Sequence, residues 1–308
     1  MKHDVSIVVW LILLFSVSQI MGLFLISLDI KEISQDRTTG EITVDYQETA
    51  IGPRPETKGA GSFIFLAIGI TIGTLLLLIL VHFKSILTWK VWFFFATSLA
   101  LTIAFGVFLG NTLAFLLAIA LALWKLLKPN VIIHNLTEIF MYAGIALFLV
   151  PIFDLLWGIL LLLAISAYDM YAVWKSKHMI KMAKFLGESK SFAGLFIPYT
   201  PKDKPKHTKL KAKKTSHKKI KAKHAILGGG DIVFPLLFAG VILEWLITLE
   251  FSKVTAFFIS LIIPVFATIA LAYLFGKSQK DTFYPAMPFL TAGCFVGGII
   301  VFIIQLFL

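Results

Sequence analysis

The chain has 308 residues, of which 58% are hydrophobic and 15% charged, with a net charge of +11 and a mean hydropathy of +0.90. Soluble domains carry about 25% charged residues, so this composition excludes a soluble globular enzyme. The single cysteine, Cys294, excludes an internal disulfide framework and reads as a small packing residue in an apolar run.

An apolar stretch needs about 20 residues to cross a bilayer as a helix that satisfies its own backbone. In chain order the first such stretch is residues 5–28. It is too long for the apolar core of a secretory signal, and no A-x-A site follows it, so it reads as a retained helix. Residues 63–83 and 91–109 follow, then a short fourth segment, 112–127, separated from the third by little more than Gly110-Asn111. Residues 131–153 and 154–174 meet near Pro151, and 225–246, 254–275 and 285–308 complete the set. The predicted architecture is an all-α, polytopic membrane protein, with nine transmembrane helices in one membrane domain over residues 1–308. No internal repeat is visible, which argues against the repeat-built transporters.

Two connections are long. Residues 29–62 are rich in acids, whereas residues 175–224 hold sixteen lysines against only Glu188 and Asp203. With nine spans, Lys31, Arg37, Arg54, Lys58 and Lys253 fall on one side, and every other Lys and Arg falls on the other. The positive-inside rule then places the amino terminus in the cytoplasm and the carboxyl terminus outside the cell membrane.

Ionisable groups inside a bilayer are costly and therefore candidates for function. Asp169 lies deep in the sixth span, and Asp231 follows three glycines in the seventh. These two spans run antiparallel, joined by the basic connection. Asp169 precedes Lys175 by a helical rise of about 9 Å, and Asp231 follows Lys223 by about 12 Å of the same rise. Both carboxylates then lie at similar depth in the cytoplasmic third. Neighbouring helices pack about 8–10 Å apart, close enough for the two to share one proton. Such a pair suits peptide hydrolysis: the ionised partner takes a proton from water while the protonated one polarises the scissile carbonyl. Depth and spacing fit a proton relay or cation conduit equally well.

Gly228-Gly229-Gly230-Asp231 has the form G-x-G-D. Each glycine weakens a helix by roughly 1 kcal/mol relative to Ala and permits close backbone approach, which suits an enzyme that must unwind a helical substrate. A third element, Tyr284-Pro285-Ala286-Met287-Pro288, opens the ninth span near the same face. Its prolines disfavour regular helix and mark either a helix start or a rigid bend lining the site.

Tyr168-Asp169, Gly228-Gly229-Gly230-Asp231 and Pro285-Ala286-Met287 resemble, in order and in span, the YD, GxGD and PAL motifs of the presenilin and signal peptide peptidase family. Met287 stands where Leu is usual, a volume-conserving swap. The orientation resembles presenilin rather than the inverted signal peptide peptidase, and the small size resembles the archaeal presenilin homologues. The resemblance implies a presenilin-like fold and an intramembrane aspartyl endopeptidase that cuts transmembrane segments of other proteins. It further implies that Asp169 and Asp231 are catalytic, and that Tyr168, Gly228, Gly229, Gly230, Pro285, Ala286 and Met287 support the site. A prepilin-type peptidase also carries G-x-G-D, but nine spans and the PAL-like segment argue against it.

In the basic connection, residues 175–186 read as an interfacial amphipathic helix. Residues 192–199 form an apolar patch that could take an unwound substrate as an added strand. Residues 201–224 are lysine-dense and read as disordered, with anionic lipid headgroups as partner rather than nucleic acid. His134 and Glu138 are i, i+4 neighbours in the fifth span and read as helix–helix hydrogen bonding in preference to a site role. Asp154, Glu244 and Glu250 read as interfacial. No P-loop, H-E-x-x-H or G-x-S-G pattern occurs, and no metal or other cofactor is implied.

Overall fold

The computed structural model describes residues 5–35, 42–128, 130–175, 192–199, 223–278 and 284–307. Helix α1 (Val5–Asp29) leads into a ribbon of β1 (Ile30–Gln35) and β2 (Ile42–Tyr46). Helices α2 (Ala60–Phe83), α3 (Ile86–Gly106), α4 (Asn111–Leu127), α5 (Val131–Leu149) and α6 (Leu155–Met170) follow. A second ribbon, β3 (Gly194–Tyr199) and β4 (Lys223–Gly228), precedes α7 (Gly229–Thr248), α8 (Lys253–Ser260), α9 (Ile262–Lys277) and α10 (Met287–Phe307). Helices α8 and α9 form one span, Lys253–Lys277, broken at Leu261. Among the described residues, eight spans are long and apolar enough to cross a membrane. The expected short fourth span is the remaining helix, Asn111–Leu127.

Local chemistry sets most of the boundaries. Asn130, Asp154 and Ser252 each cap a helix by accepting a backbone N–H, at 2.9, 2.9 and 3.1 Å, which fills a donor that the helix cannot satisfy itself. Pro151 sits in a 3₁₀ turn, Val150–Ile152, between α5 and α6. Small residues govern the packing. Ala114, Ala118 and Ala122 form the buried stripe of α4, and a Cβ on Gly144 of α5 would overlap the carbonyl oxygen of Ala100 on α3. Without a hydrophobic drive between helices in lipid, such close approach supplies the dispersion that holds them.

Helices α5 and α7 are the most buried spans. Helix α7 packs against α1, α5, α6 and α10, so the segment that carries Asp231 runs through the core. Helix α2 is almost wholly outside it, touching α3 and α6. Cys294 is fully buried.

Two sequence expectations need correction. Residues 225–228 are strand, and the seventh helix begins only at Gly229. The ninth helix begins at Met287 rather than Pro285. In the first case pairing with β3 makes 225–228 a strand, and of the three glycines only Gly228 lies in it. In the second, Pro285 and Pro288 limit the helix to the residues between and beyond them. The expected interfacial helix at 175–186 and the disorder at 201–224 fall outside the described residues, save Lys175 and Lys223–His224 at their edges.

At the bundle end away from the aspartates, the β1–β2 ribbon is pinned to the helices. Arg54 pairs with Asp29 and donates to the carbonyls of Gln47 and Leu147 at 2.5 and 3.3 Å. The Tyr46 hydroxyl donates to Glu244 at 2.7 Å. Glu244 is therefore a partly buried anchor for this ribbon as well as an interfacial acid. Burial, and the Glu244 carboxylate beside it, push the Tyr46 phenol well above its ordinary pKa.

Gly144→Ala tests the α3–α5 contact. Its Cβ must push a backbone carbonyl rather than a flexible side chain, an overpacking that costs about 1–3 kcal/mol or more. A clear fall in the thermal midpoint of the detergent-solubilised protein is expected. Gly73→Ala, at a position with nothing within 4 Å, should leave the midpoint unchanged.

Candidate active site

Asp169 lies one residue before the end of α6, and the helix continues as a single π turn, Tyr171–Lys175. Such turns often occur where a helix must re-aim a side chain. The Asp169 carboxylate is 5% exposed and accepts the backbone N–H of Met287 at 3.1 Å. The N–H of Ala286 also faces it. The Pro285–Met287 segment thus lies directly against Asp169: Pro285 and Met287 are buried, and Ala286 is partly buried. Pro285 has no N–H of its own, so the next two residues provide the donors. One turn up α6, Ser166 and Thr291 share a hydrogen bond of 2.7 Å that ties α6 to α10.

Asp231 lies in the first turn of α7 and is partly buried. The N–H of Gly228 donates to its carboxylate, so the side chain folds back on the strand that leads into the helix. Asp169 and Asp231 lie within electrostatic reach of each other. Asp231 reaches this position through a strand-to-helix junction rather than from inside a helix, so the helical rise from Lys223 does not apply. The two carboxylates nonetheless influence each other, because the helix that begins beside Asp231 packs against the helix that carries Asp169.

The three glycines have different surroundings. A Cβ on Gly228 would come to 3.2 Å from Asp231 Oδ2. A Cβ on Gly229 would clash with the Tyr142 side chain, its Cε1 and Cζ only 2.6 and 2.7 Å away. A Cβ on Gly230 would meet nothing nearer than Phe234 at 3.5 Å. Tyr168, next to Asp169, is 38% exposed and does not share its burial.

Helix α5 contributes residues to this region that the sequence reading set aside. Asn135 is bound twice to Phe196 on β3: it donates to the carbonyl at 2.9 Å and accepts the N–H at 3.0 Å. His134 Nε2 lies 2.9 Å from the Gly194 carbonyl. Glu138, fully buried, accepts from Lys125, from Tyr142 and from the Gly194 N–H. This set therefore grips a strand as well as a neighbouring helix. The available signal was the spacing of His134, Glu138 and Tyr142, which places all three on one helix face. From α1, Gln19 Nε2 donates to the Ile232 carbonyl at 2.8 Å, next to Asp231. Among the described residues, no group of three or more His, Cys, Asp or Glu is placed to hold a metal ion.

Comparison with known proteins gives the family and the fold. Residues 59–306 match the family described as signal-peptide peptidase, presenilin aspartyl protease. The fold is similar to that of a presenilin family intramembrane aspartate protease solved in the C222 space group, with a TM-score of 0.57 and 17% identity over 95% of this chain and 99% of that one. A structure titled in the same words, in the P2 space group, gives a TM-score of 0.57 and 16% identity over 96% of each chain. A comparison with curated protein sequences gives no match.

The glycine geometry predicts a ranking by thermal melting in detergent. Gly229→Ala should destabilise most, because the Tyr142 ring is buried and cannot give way. Gly230→Ala should melt like the parent protein.

Proposed function

Because the chain belongs to the signal-peptide peptidase and presenilin family of aspartyl proteases, we propose that Asp169 and Asp231 form its catalytic pair and hydrolyse peptide bonds within transmembrane segments of other proteins. The chain is an intramembrane aspartyl protease by family, and its family implies transmembrane peptide substrates. The observation that supports the residue assignment is that the two carboxylates lie within electrostatic reach of each other at the ends of neighbouring spans, with Asp169 held by the amides of Ala286 and Met287.

The chemistry follows from two acids sharing one proton in a poorly solvated site. The ionised member takes a proton from a water molecule, and the oxygen adds to the scissile carbonyl carbon. The protonated member donates to the carbonyl oxygen as it becomes tetrahedral. Collapse breaks the C–N bond, with a proton passing to the departing nitrogen. No covalent adduct with the enzyme forms. The donors at Ala286, Met287 and Gly228 occupy only part of the carboxylates' capacity of about four lone-pair sites each, so both retain room for water and substrate. Pro285, Ala286 and Met287 and the three glycines hold the pair in place, and Tyr168 borders it.

The substrate must be unwound before it can be cut, and an extended segment joins a sheet edge readily. The edge available is that of β4, not the 192–199 segment. The outward N–H and C=O of Gly194 and Phe196 on β3 are already taken by α5 side chains. These residues lie opposite Gly228 and Ile226 in the ladder, so Ile226 directs its own N–H and C=O away from β3. No third strand pairs with β4 among the described residues. Strand β4 runs straight into Gly228, which would deliver a bound strand to Asp231.

In this reading the amino terminus is cytoplasmic, the site opens toward the cytoplasm, and the lysines of 175–224 contact anionic headgroups, each worth about 1 kcal/mol near the surface.

Two measurements test the proposal. Asp169→Asn and Asp231→Asn should each abolish cleavage of a single-span peptide in liposomes while melting like the parent. Normal cleavage by either would remove that residue from the pair, and carboxylate-dependent ion flux without cleavage would identify a conduit instead. Ile226→Pro removes the outward N–H and leaves the β3–β4 ladder intact, as proline does on an edge strand. It should melt normally and lose most cleavage. Full activity would place substrate elsewhere.

A further inference from the structure

Near the aspartate pair, α4 and α5 carry a second set of ionisable groups that the hydrolysis does not use. Glu138 is 0% exposed and Lys125 6%. Lys125 Nζ pairs with Glu138 Oε1 and lies 4.9 Å from the centre of the Phe93 ring. Glu138 Oε2 accepts from the Tyr142 hydroxyl and from the Gly194 N–H, the latter at 2.7 Å. His134 Nε2 stands 3.8 Å from Oε1. The carboxylate is thus surrounded by donors from three elements.

Stability is a poor explanation for this set. Removing both charges from water costs several kcal/mol per ion, which their attraction often fails to recover, and apolar residues of similar volume do as well or better. Within a membrane the cost is greater still. What the set defines is geometry. Gly194 faces Gly228 across the β3–β4 ladder. The Tyr142 ring fills the space in front of Gly229, and Tyr142 lies within electrostatic reach of Asp231. Both groups that Glu138 holds through Oε2 therefore abut the residues immediately before Asp231.

We propose that Glu138, paired with Lys125, is a positioning residue for Asp231, acting through Tyr142 and Gly194 to fix the 228–231 junction so that Asp231 faces Asp169. This rests on the reading of Asp231 as catalytic. Glu138 is fully buried, its carboxylate held by Lys125, Tyr142 and Gly194. It sets where the reacting carboxylate sits, and displacements of about 1 Å can cost a hundredfold in rate. Tyr142 transmits the constraint because its hydroxyl is bonded to Glu138 while its ring bears on Gly229.

The test uses the full chain in liposomes with a fluorogenic single-span peptide. Tyr142→Phe keeps the ring and removes the hydroxyl, so it should fold and melt like the parent. Its kcat should fall on the order of tenfold, about 1.4 kcal/mol in the barrier, with KM little changed. Glu138→Gln should fall further, Glu138→Asp should recover part of the loss, and Tyr142→Phe combined with Glu138→Gln should be no worse than Glu138→Gln alone. Wild-type kcat in Tyr142→Phe would overturn the inference. So would a loss of kcat that merely follows a lowered melting point. Asp231→Asn, run in parallel, separates the two readings. If it is inactive while Tyr142→Phe is normal, only the positioning role fails; if it cleaves normally, the catalytic assignment and this inference fail together.

Discussion

Three carboxylates cluster at one end of the bundle, and each is bound by a backbone N–H that no helix can use. Asp169 takes that of Met287, Asp231 that of Gly228, and Glu138 that of Gly194. Within a membrane neither an isolated carboxylate nor an unpaired amide is tolerable. Here each satisfies the other. The irregular backbone a protease needs near its site is stable because the acids are there, and the acids are held because the backbone is irregular.

This exchange explains the arrangement of the surrounding helices. Helix α10 must begin near Asp169 to present the amides of its first turn, and Ser166 with Thr291 keeps it in register with α6. Helix α7 must begin at Gly229 so that β4 can run beside β3, and α5 must lie against β3 to occupy its outer edge. Pro235 lies inside α7 and has no N–H for the carbonyl of Asp231 four residues earlier. Gln19 on α1 donates to the adjoining carbonyl of Ile232, so the weakened first turns of α7 gain a partner from outside the helix. The same close approach is visible at Gly22, where a side chain would collide with Leu236.

The spans were legible in the sequence because they depend on one property, apolar length, which survives any packing arrangement. Asp169 and Asp231 were legible because a charge in an apolar run is conspicuous, and the Pro285–Met287 segment because proline restricts the backbone wherever it stands. The two ribbons were not legible. Residues 225–228 are apolar enough to extend the seventh span, and only the partner strand at 194–199 makes them a strand. Pairing across a long connection leaves no local mark. Glu244 was placed by depth alone, and its bond to Tyr46 depends on where the loop before α2 folds back.

Glu138 is the more instructive case. The rule that singled out the two aspartates, that an ionisable group in a span must justify its cost, applied to Glu138 with equal force. Its spacing from His134 reads as helix–helix hydrogen bonding, and Lys125 on α4 provides that bond; the grip on β3 through Gly194 has no mark in the sequence. Of its two i, i+4 neighbours, His134 stands 3.8 Å away, while Tyr142, like Lys125 and the Gly194 amide, is in hydrogen-bonding contact. Sequence spacing reveals partners on the same helix and none across helices, so it favours the least informative explanation for a buried charge. The glycines show the same limit from the other side. Read as a run, they imply one flexible stretch, but packing gives them separate settings: Gly228 binds Asp231, Gly229 makes room for Tyr142, and a Cβ on Gly230 would meet Phe234 at ordinary contact distance. Only Gly229 needs its missing side chain for packing, and it does so because of a tyrosine that Glu138 holds in place.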